Sequence, residues 1–171
     1  DGNGHTINGL YIDTNNNYTG LIGYASNTTI NDIILSNTTI DGNESVGALI
    51  GYADSVSFDT IATSGSVTGI TTLGGVIGYM TESNVTNGSS FANISGNGNK
   101  LGGLIGFAEV NSSIEYSYTT GSVTATAYTN EAIGGLVGLF RYGGKISRSY
   151  ATGNVTHGNK VGGLVGDIYG V

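Results

Sequence analysis

The sequence predicts an all-β fold, namely a β-solenoid (β-helix) of about six coils, each 27–32 residues long with about three short strands. Three observations support this prediction. A short apolar phrase recurs six times, β-branched residues alternate with polar ones, and clusters of Gly, Asn, Asp, Ser and Thr separate the apolar stretches. Those small and polar residues are typical of turns, because Gly supplies positive φ and Asn and Asp tolerate the left-handed region. Helix is disfavoured, since strong helix formers are scarce and the apolar period is close to two.

The recurring phrase consists of two apolar residues closed by Gly, and in most copies Gly also precedes them, as in residues 103–106. Gly weakens a strand interior, so its recurrence favours a corner or a tight packing position. In a regular strand the two apolar residues face opposite sides, which predicts burial by the core on one side and by a second layer or a partner chain on the other. The copies occupy residues 20–23, 48–51, 75–78, 103–106, 135–138 and 163–166.

These repeats predict a single repeat domain over residues 1–171, with a lead-in coil at residues 1–19, and we expect it to be a segment of a longer protein. Three further series of residues recur at the repeat spacing between the phrases. Stacked parallel coils place equivalent residues about 4.8 Å apart, so each series predicts one column of side chains. The series are Ile40, Val67, Ile94, Val123 and Val155; Ile30, Phe58, Val85, Ile114 and Ile146; and Leu35, Ala62, Ser89, Tyr118 and Tyr150.

Composition excludes several classes of protein. The chain has 31 Gly but no Pro, Cys or Trp, which excludes collagen and a disulfide scaffold. No apolar run reaches the length of a membrane span, and none is expected. The net charge is −7, divided into −8 over residues 1–99 and +1 over residues 100–171. Nucleic-acid binding needs a basic patch, so we exclude it, and we expect no metal site and no cofactor in a chain without thiols and with two His.

The repeats resemble the GLUG motif repeat, which combines Gly-Gly-Leu-Val-Gly with a phrase such as Ser-Tyr-Ala-Thr-Gly-Asn-Val-Thr, found here at residues 149–156. The resemblance extends over nearly the whole chain. It is strong in residues 101–166 and weaker in residues 24–46. It implies a region of a bacterial or archaeal adhesin-like surface protein, and it brings no catalytic motif with it.

Asn-X-Ser/Thr sequons are the most concrete candidate sites, because this tripeptide accepts N-linked glycan in secreted proteins. A chain so rich in Asn, Ser and Thr also contains several by chance. Only exposed sequons can be modified. The candidates are Asn17, Asn27, Asn37, Asn43, Asn84, Asn87, Asn93, Asn111 and Asn154.

An aromatic residue follows four copies of the phrase, which predicts a column of stacked rings. Exposed rows of Tyr bind sugars or partner proteins, whereas buried rows belong to the core, and the sequence leaves both readings open. The predicted column is Tyr24, Tyr52, Tyr79 and Phe107.

Other chemistry has weaker support. Glu115, Lys145 and Arg148 lie on equivalent strands of neighbouring coils, where an acid and a base could meet, but a surface ion pair is the favoured interpretation. The segments 1–4 and 41–44 alternate oxygen-bearing side chains without completing a calcium loop. A partial ladder of Thr, Ser and Asp residues is too mixed for a regular ice-binding array.

These observations predict a non-catalytic structural or adhesive segment of an extracellular protein of the cell surface or envelope. It would serve as the shaft of an adhesin or as the unit of a self-assembling filament or sheath. Its expected partners are further copies of itself, head to tail or side by side, flanking domains of the same protein, and possible glycans. The alternatives are a carbohydrate- or host-binding module and a stalk beside an enzyme domain absent from this chain.

Overall fold

The computed structural model describes residues 1–127 and 132–170 and confirms the predicted fold class. The described chain winds into a β-solenoid of about six coils, and successive coils pair through parallel ladders. Within the described residues, no helix qualifies as a membrane-spanning candidate.

Most strands are two to seven residues long, and two extend over 20 residues because they continue through the corners of a coil. The strands are β1 Thr6–Asn8, β2 Tyr11–Asp13, β3 Tyr18–Thr19, β4 Ile22–Asp41, β5 Ser45–Gly47, β6 Ile50–Gly69, β7 Thr72–Gly74, β8 Ile77–Thr81, β9 Asn84–Ser90, β10 Asn93–Gly96, β11 Lys100–Gly102, β12 Ile105–Glu109, β13 Ser112–Glu115, β14 Tyr118–Thr119, β15 Val123–Ala125, β16 Ala132–Gly134, β17 Val137–Arg141, β18 Gly144–Ser147, β19 Tyr150–Ala151, β20 Val155–Thr156, β21 Lys160–Gly162 and β22 Val165–Tyr169.

Equivalent strand segments stack into five columns, numbered here in the order in which a coil presents them. Stacks 1 to 4 form one continuous sheet and stack 5 forms a separate six-stranded sheet. Stack 1 is 22–26 of β4, 50–54 of β6, β8, β12, β17 and β22; stack 2 is 28–31, 56–59, 84–86, β13 and β18; stack 3 is β1, 33–35, 61–63, 88–90, β14 and β19; stack 4 is β2, 39–41, 66–69, β10, β15 and β20; stack 5 is β3, β5, β7, β11, β16 and β21.

A coil such as residues 105–134 therefore contains five short strands, β12 to β16, where the sequence predicts about three. The additional divisions arise at corners where a residue adopts positive φ, a conformation that Asn and Asp tolerate best among non-Gly residues. The apolar positions of the sequence do not reveal these corners. Between stacks 1 and 2 the corner residues include Asn27, Ser55, Glu82 and Asn111, with φ of 47–56°, and between stacks 2 and 3 they are Asp32, Thr60, Asn87, Tyr116 and Arg148, with φ of 50–56°.

Two of the three predicted side-chain series form columns of the core, whereas Tyr118 and Tyr150 of the third lie outside it. The core also contains a column that was not predicted, formed by Val46, Leu73, Leu101 and Ile133. The series that begins at Ile40 is in register through stack 4, and the series that begins at Ile30 is in register through stack 2. The third series needs one correction. Ala62 pairs with Ile34 and not with Leu35, because β4 has one residue more than β6 between Leu35 and Thr38 and the register shifts there.

The expected opposite orientation of the two apolar residues in the phrase is wrong. Leu49 and Ile50 both belong to the main core, as do Leu104 and Ile105. The first residue of each pair lies in a bend between stack 5 and stack 1, so the two do not alternate across one strand. In these two copies the core of the chain itself covers both apolar side chains.

The glycines of the phrase form a seam where stack 5 rests directly on the backbone of stack 1. A Cβ added to Gly78 would lie 2.6 Å from the amide nitrogen of Val46, and one added to Gly106 would lie 2.8 Å from that of Leu73. A Cβ on Gly74 would lie 2.7 Å from the amide nitrogen of Gly106. No side chain fits between these two sheets, which explains why Gly recurs on both sides of the apolar pair.

Candidate functional surfaces

The predicted aromatic residues lie in one column on the outer side of stack 1. Tyr52 and Tyr79 stack with ring centroids 4.7 Å apart and an interplanar angle of 12°, and Tyr79 and Phe107 stack at 4.8 Å and 9°. Tyr24 meets Tyr52 at 5.3 Å with a tilt of 54°. The separations of the two stacked pairs equal the spacing of strands in the sheet, so these rings follow the backbone ladder.

Stacking leaves mainly the ring edges of this column accessible. A sugar ring binds an aromatic residue through the ring face, and in the middle of the column a neighbouring coil already covers that face. Tyr24, which is 50% exposed, and Tyr18, which is 49% exposed, are the most accessible rings at this end of the surface. Tyr18 belongs to stack 5 and packs against Tyr52 at 5.5 Å. Tyr18 was not predicted to belong to this surface. The signal for it was its spacing, because Tyr18 precedes Tyr24 by nearly the same number of residues as Lys100, its equivalent in stack 5, precedes Phe107.

Phe107 is the most enclosed ring of this column, at 7% exposure, and two cations lie over it. The Arg141 guanidinium lies 4.6 Å from its centroid and the Lys100 ammonium 5.4 Å. Arg141 also donates to Glu109 Oε2 at 2.9 Å and to the Tyr169 hydroxyl at 2.7 Å. The sequence analysis did not single out Arg141 or Glu109, and their pairing becomes visible only once the register of β12 and β17 is known.

Burial changes the titration of this cluster. It raises the pKa of the Tyr79 hydroxyl well above its ordinary value, and the adjacent Glu109 carboxylate raises it further. The pKa of Tyr52 is raised by burial and then by Asp54. Partial burial acts to lower the pKa of Arg141, but its hydrogen bonds to Tyr169 and Glu109 outweigh this and the pKa is raised. At neutral pH Arg141 therefore remains a cation, and the hydroxyls of Tyr79 and Tyr52 remain neutral.

A second aromatic group lies on the outer side of stack 3. Tyr118 and Tyr150 stack at 5.3 Å with an angle of 11°, and Phe91 meets Tyr118 edge-on at 5.7 Å. Phe91 and Tyr150 are exposed. As in stack 1, Tyr118 and Tyr150 contact each other through their faces, and this group extends the aromatic surface around the coil.

The structure explains why so many sequons occur. Asn27, Asn37, Asn87 and Asn111 occupy corners with φ of 50–54°, where Asn is favoured for its backbone conformation. Strands rich in Ser and Thr follow each corner, so the tripeptide arises from the architecture. Eight of the nine candidate asparagines are exposed and Asn43 is half-buried.

The asparagine amides differ in their availability for a glycan, which attaches through Nδ2. Asn37 Nδ2 donates to Asn8 Oδ1 at 2.8 Å, Asn43 Nδ2 to Asn17 Oδ1 at 2.9 Å, and Asn87 Nδ2 to Asp59 Oδ1 at 2.9 Å. A glycan on one of these three would have to displace a bond between coils. Two others, Asn84 and Asn93, use Oδ1 to accept from hydroxyls of the next coil.

The candidate acid and base meet as a surface ion pair. Lys145 Nζ donates to Glu115 Oε1 at 2.5 Å, and the Ser147 hydroxyl donates to the same oxygen at 2.9 Å. These two hydrogen bonds, that of Lys145 first, lower the pKa of the Glu115 carboxyl. Arg148 is directed elsewhere, 5.1 Å from the ring of Tyr116. A lowered pKa favours a permanent carboxylate and disfavours a proton donor at neutral pH.

The oxygen-rich segments and the hydroxyl ladder have ordinary structural roles. Thr68 donates to Asp41 Oδ1 at 2.7 Å, and Thr156 donates to Thr124 at 3.3 Å, both between neighbouring coils of stack 4. Among residues 1–127 and 132–170, no three His, Asp or Glu side chains group closely enough to hold a metal ion.

One family model matches the chain. Residues 129–156 match the model described as the GLUG motif, and they contain the fifth copy of the phrase and the Ser-Tyr-Ala-Thr-Gly-Asn-Val-Thr stretch. The chain therefore contains a GLUG motif. No curated protein matches the chain.

Proposed function

We propose that the chain is a non-catalytic structural shaft in an extracellular, adhesin-like protein of a bacterial or archaeal cell surface. The observation that carries this proposal is the continuity of the core. Columns of buried side chains, the glycine seam and the backbone ladders extend from coil to coil through the described residues. Such a unit transmits force and holds a fixed length along its axis, as expected of a shaft.

The outer faces support the same proposal. Their polar side chains bond to equivalent residues of the next coil, as Asn43 does with Asn17 and Ser113 does with Asn84. Their rings stack on one another, and ion pairs join neighbouring coils, Arg141 with Glu109 and Lys145 with Glu115. Side chains used in this way stiffen a rod without requiring a ligand. The GLUG motif fits this role, since the GLUG repeats that this chain resembles occur in surface proteins.

Surface location is tested by immunogold labelling of cells that produce the protein, with antibodies raised against the folded chain. Intact and permeabilised cells are compared, and a cytoplasmic marker serves as the control for leakage. We expect equal labelling of intact and permeabilised cells. Labelling that requires permeabilisation would contradict the proposal.

Carbohydrate binding is a second candidate, favoured by one observation, the exposed pair Tyr18 and Tyr24 at the edge of the aromatic column. A ring that protrudes beyond the last stacked neighbour can receive a sugar on its free face. A glycan array probed with the folded chain and with Tyr24→Ala tests this candidate. Binding that the substitution abolishes would support it, and absence of binding by the unmodified chain would exclude it.

A further inference from the structure

One side of the rod carries exposed apolar side chains that have coils on both sides of them. It consists of the outer side of stack 3, the corner that precedes each of its strands and the residue that follows, and is called here the stack 3 face. Phe91 is 45% exposed on this face, and Ile34, two coils away, is 37% exposed. Apolar groups exposed together on the side of a polar rod indicate a contact surface.

The stack 3 face contains three columns of five side chains each, and Asn87, Ser89 and Phe91 are the members from the middle coil. The columns are Asp32, Thr60, Asn87, Tyr116 and Arg148 at the corner; Ile34, Ala62, Ser89, Tyr118 and Tyr150 on the strands; and Ser36, Ser64, Phe91, Thr120 and Thr152 after the strands.

We propose that the stack 3 face binds the same face of a second copy of this chain, with the two rods antiparallel. The inference rests on the proposed function as a surface shaft and names a partner for its adhesive role. A two-fold axis along residues 87–91 relates the two copies, so each column meets the same column with its coils in reverse order. Because both copies use one surface, the contact is isologous and closes as a dimer.

Side-chain size is complementary in this arrangement. On the axis, Phe91 meets Phe91 of the second copy. One coil from the axis, Ala62 meets Tyr118, so a small side chain faces a large one. Two coils from the axis, Ile34 meets Tyr150, and both are apolar. Parallel rods would instead place Tyr118 on Tyr118 and Ala62 on Ala62, which leaves a clash in one coil and a gap in another.

Charge also favours the antiparallel arrangement. Asp32 and Arg148 occupy the same corner column, each two coils from Asn87. Within residues 1–127 and 132–170 neither forms an ion pair, so both charges are available to a partner. Antiparallel copies place each Arg148 opposite Asp32 of the other copy, which gives two ion pairs. Parallel copies would place like charges together, which is unfavourable.

An antiparallel contact fits shafts that project from two facing surfaces. Rods anchored on one surface point in the same direction, whereas rods from two opposed surfaces overlap in opposite directions. The contact would therefore join cells that display the same protein. Five coils give a face about 24 Å long, which is small for a stable interface. Each contact is accordingly weak, and many copies act together through multivalency.

Reversal of the corner charges tests the pairing by sedimentation velocity at low salt. Asp32→Arg and Arg148→Asp each turn both attractive pairs into repulsive ones and should weaken dimerisation by about 10-fold. Both substitutions suit the corner, because Asp and Arg already adopt its positive φ at positions 32 and 148. An equimolar mixture should restore dimerisation, since the heterodimer again pairs opposite charges. A mixture that associates no better than either variant alone would overturn the proposal.

A cysteine on the axis tests the contact covalently in a chain that has no other Cys. Phe91→Cys places two thiols together in the dimer, and oxidised glutathione should convert them into an intermolecular disulfide with release of two molecules of reduced glutathione. Ile70→Cys is the matched control, because Ile70 is 57% exposed but lies after stack 4. Circular dichroism verifies that both variants are folded. Equal yields of disulfide dimer from the two variants would overturn the proposal.

Beads that carry the chain through an added C-terminal tag test the orientation. Rods on two facing beads approach each other antiparallel, so beads with Asp32→Arg should clump with beads that carry Arg148→Asp and not with themselves. Beads with Ile70→Glu, the control, should clump like the unmodified ones. Heterodimers in solution without mixed clumps would exclude the antiparallel arrangement. A chain that is monomeric at every concentration would overturn the contact, while labelling of intact cells would still support the shaft.

Discussion

At the scale of single residues, the position of a ring in the aromatic column determines its contribution. Phe107 has Tyr79 on one side, Leu139 on the other, and Arg141 and Lys100 above it. Tyr24 contacts Tyr52 on one side and is half-exposed on the other. An aromatic side chain therefore belongs to the core in the middle of the column and to the surface at its end.

Phe107→Ala is expected to lower the free energy of unfolding by about 3 kcal/mol, because it removes a buried ring and leaves a cavity in the column. Tyr24→Ala, the matched control at the exposed end, should cost less than about 1 kcal/mol. Urea unfolding followed by circular dichroism measures both at a concentration where the chain is monomeric. Equal losses of stability for the two variants would show that Phe107 is no more enclosed than Tyr24.

The raised pKa values of Tyr79 and Tyr52 make a prediction for alkaline pH. The unfolded chain ionises these hydroxyls near their ordinary pKa of 10.0, while the folded chain resists ionisation because burial disfavours the charged form. Their stabilising contribution is complete below pH 10.0 and is lost as the pH rises through the folded pKa.

Absorbance of tyrosinate should therefore rise in at least two phases, with the later phase belonging to the buried hydroxyls. Tyr79→Phe should reduce the amplitude of that later phase. A single phase at the ordinary pKa would contradict the description of this cluster.

At the scale of structural elements, the glycine seam decides how the coil closes. Stack 5 lies on stack 1 with backbone against backbone, so the closing glycines cannot acquire a side chain. Hydroxyl groups support the bend beside the seam. Thr63 donates to the carbonyl of Gly75 at 2.8 Å, and Thr119 donates to that of Gly135 at 2.7 Å, so each hydroxyl holds a backbone carbonyl of the bend.

Gly106→Ala is expected to lower the free energy of unfolding by about 3 kcal/mol, since its Cβ would press on the backbone of Leu73 and Gly78, which cannot move independently. Gly23→Ala is the control from the same column. Its Cβ would meet only the carbonyl oxygen of Tyr18, at 3.2 Å, and the loss should be below about 1 kcal/mol. Similar losses for both variants would place the constraint elsewhere than in the seam.

The sequence predicted those features that repeat in residue type. The columns of Ile40 and Ile30 follow from mostly β-branched residues that recur at the repeat spacing, and the ring column follows from an aromatic residue after four of the six phrases. Features that depend on backbone conformation were not predictable. The corners at Ser55, Thr60 and Glu82 have positive φ, although these residue types do not favour that conformation. The alternation of apolar and polar residues also does not predict the bend that directs Leu49 into the core.

At the scale of the whole molecule, the chain is a rod whose length is set by the number of coils. Six coils correspond to about 30 Å at the spacing of stacked strands. Residues 79–106 form one complete repeat, because Phe107 occupies in the next coil the position of Tyr79. Repeats of this kind contact only their neighbours, so additional copies should extend the rod without altering the coils already present.

The central claim, that the chain acts as a shaft, is tested most directly by measuring surface projections on cells by electron cryotomography. The natural protein is compared with a variant that contains ten additional copies of residues 79–106. We predict that the projections of the variant are longer by about 48 Å, the height of ten stacked coils, with surface display retained. Projections of unchanged length on cells that display the longer variant would contradict the claim.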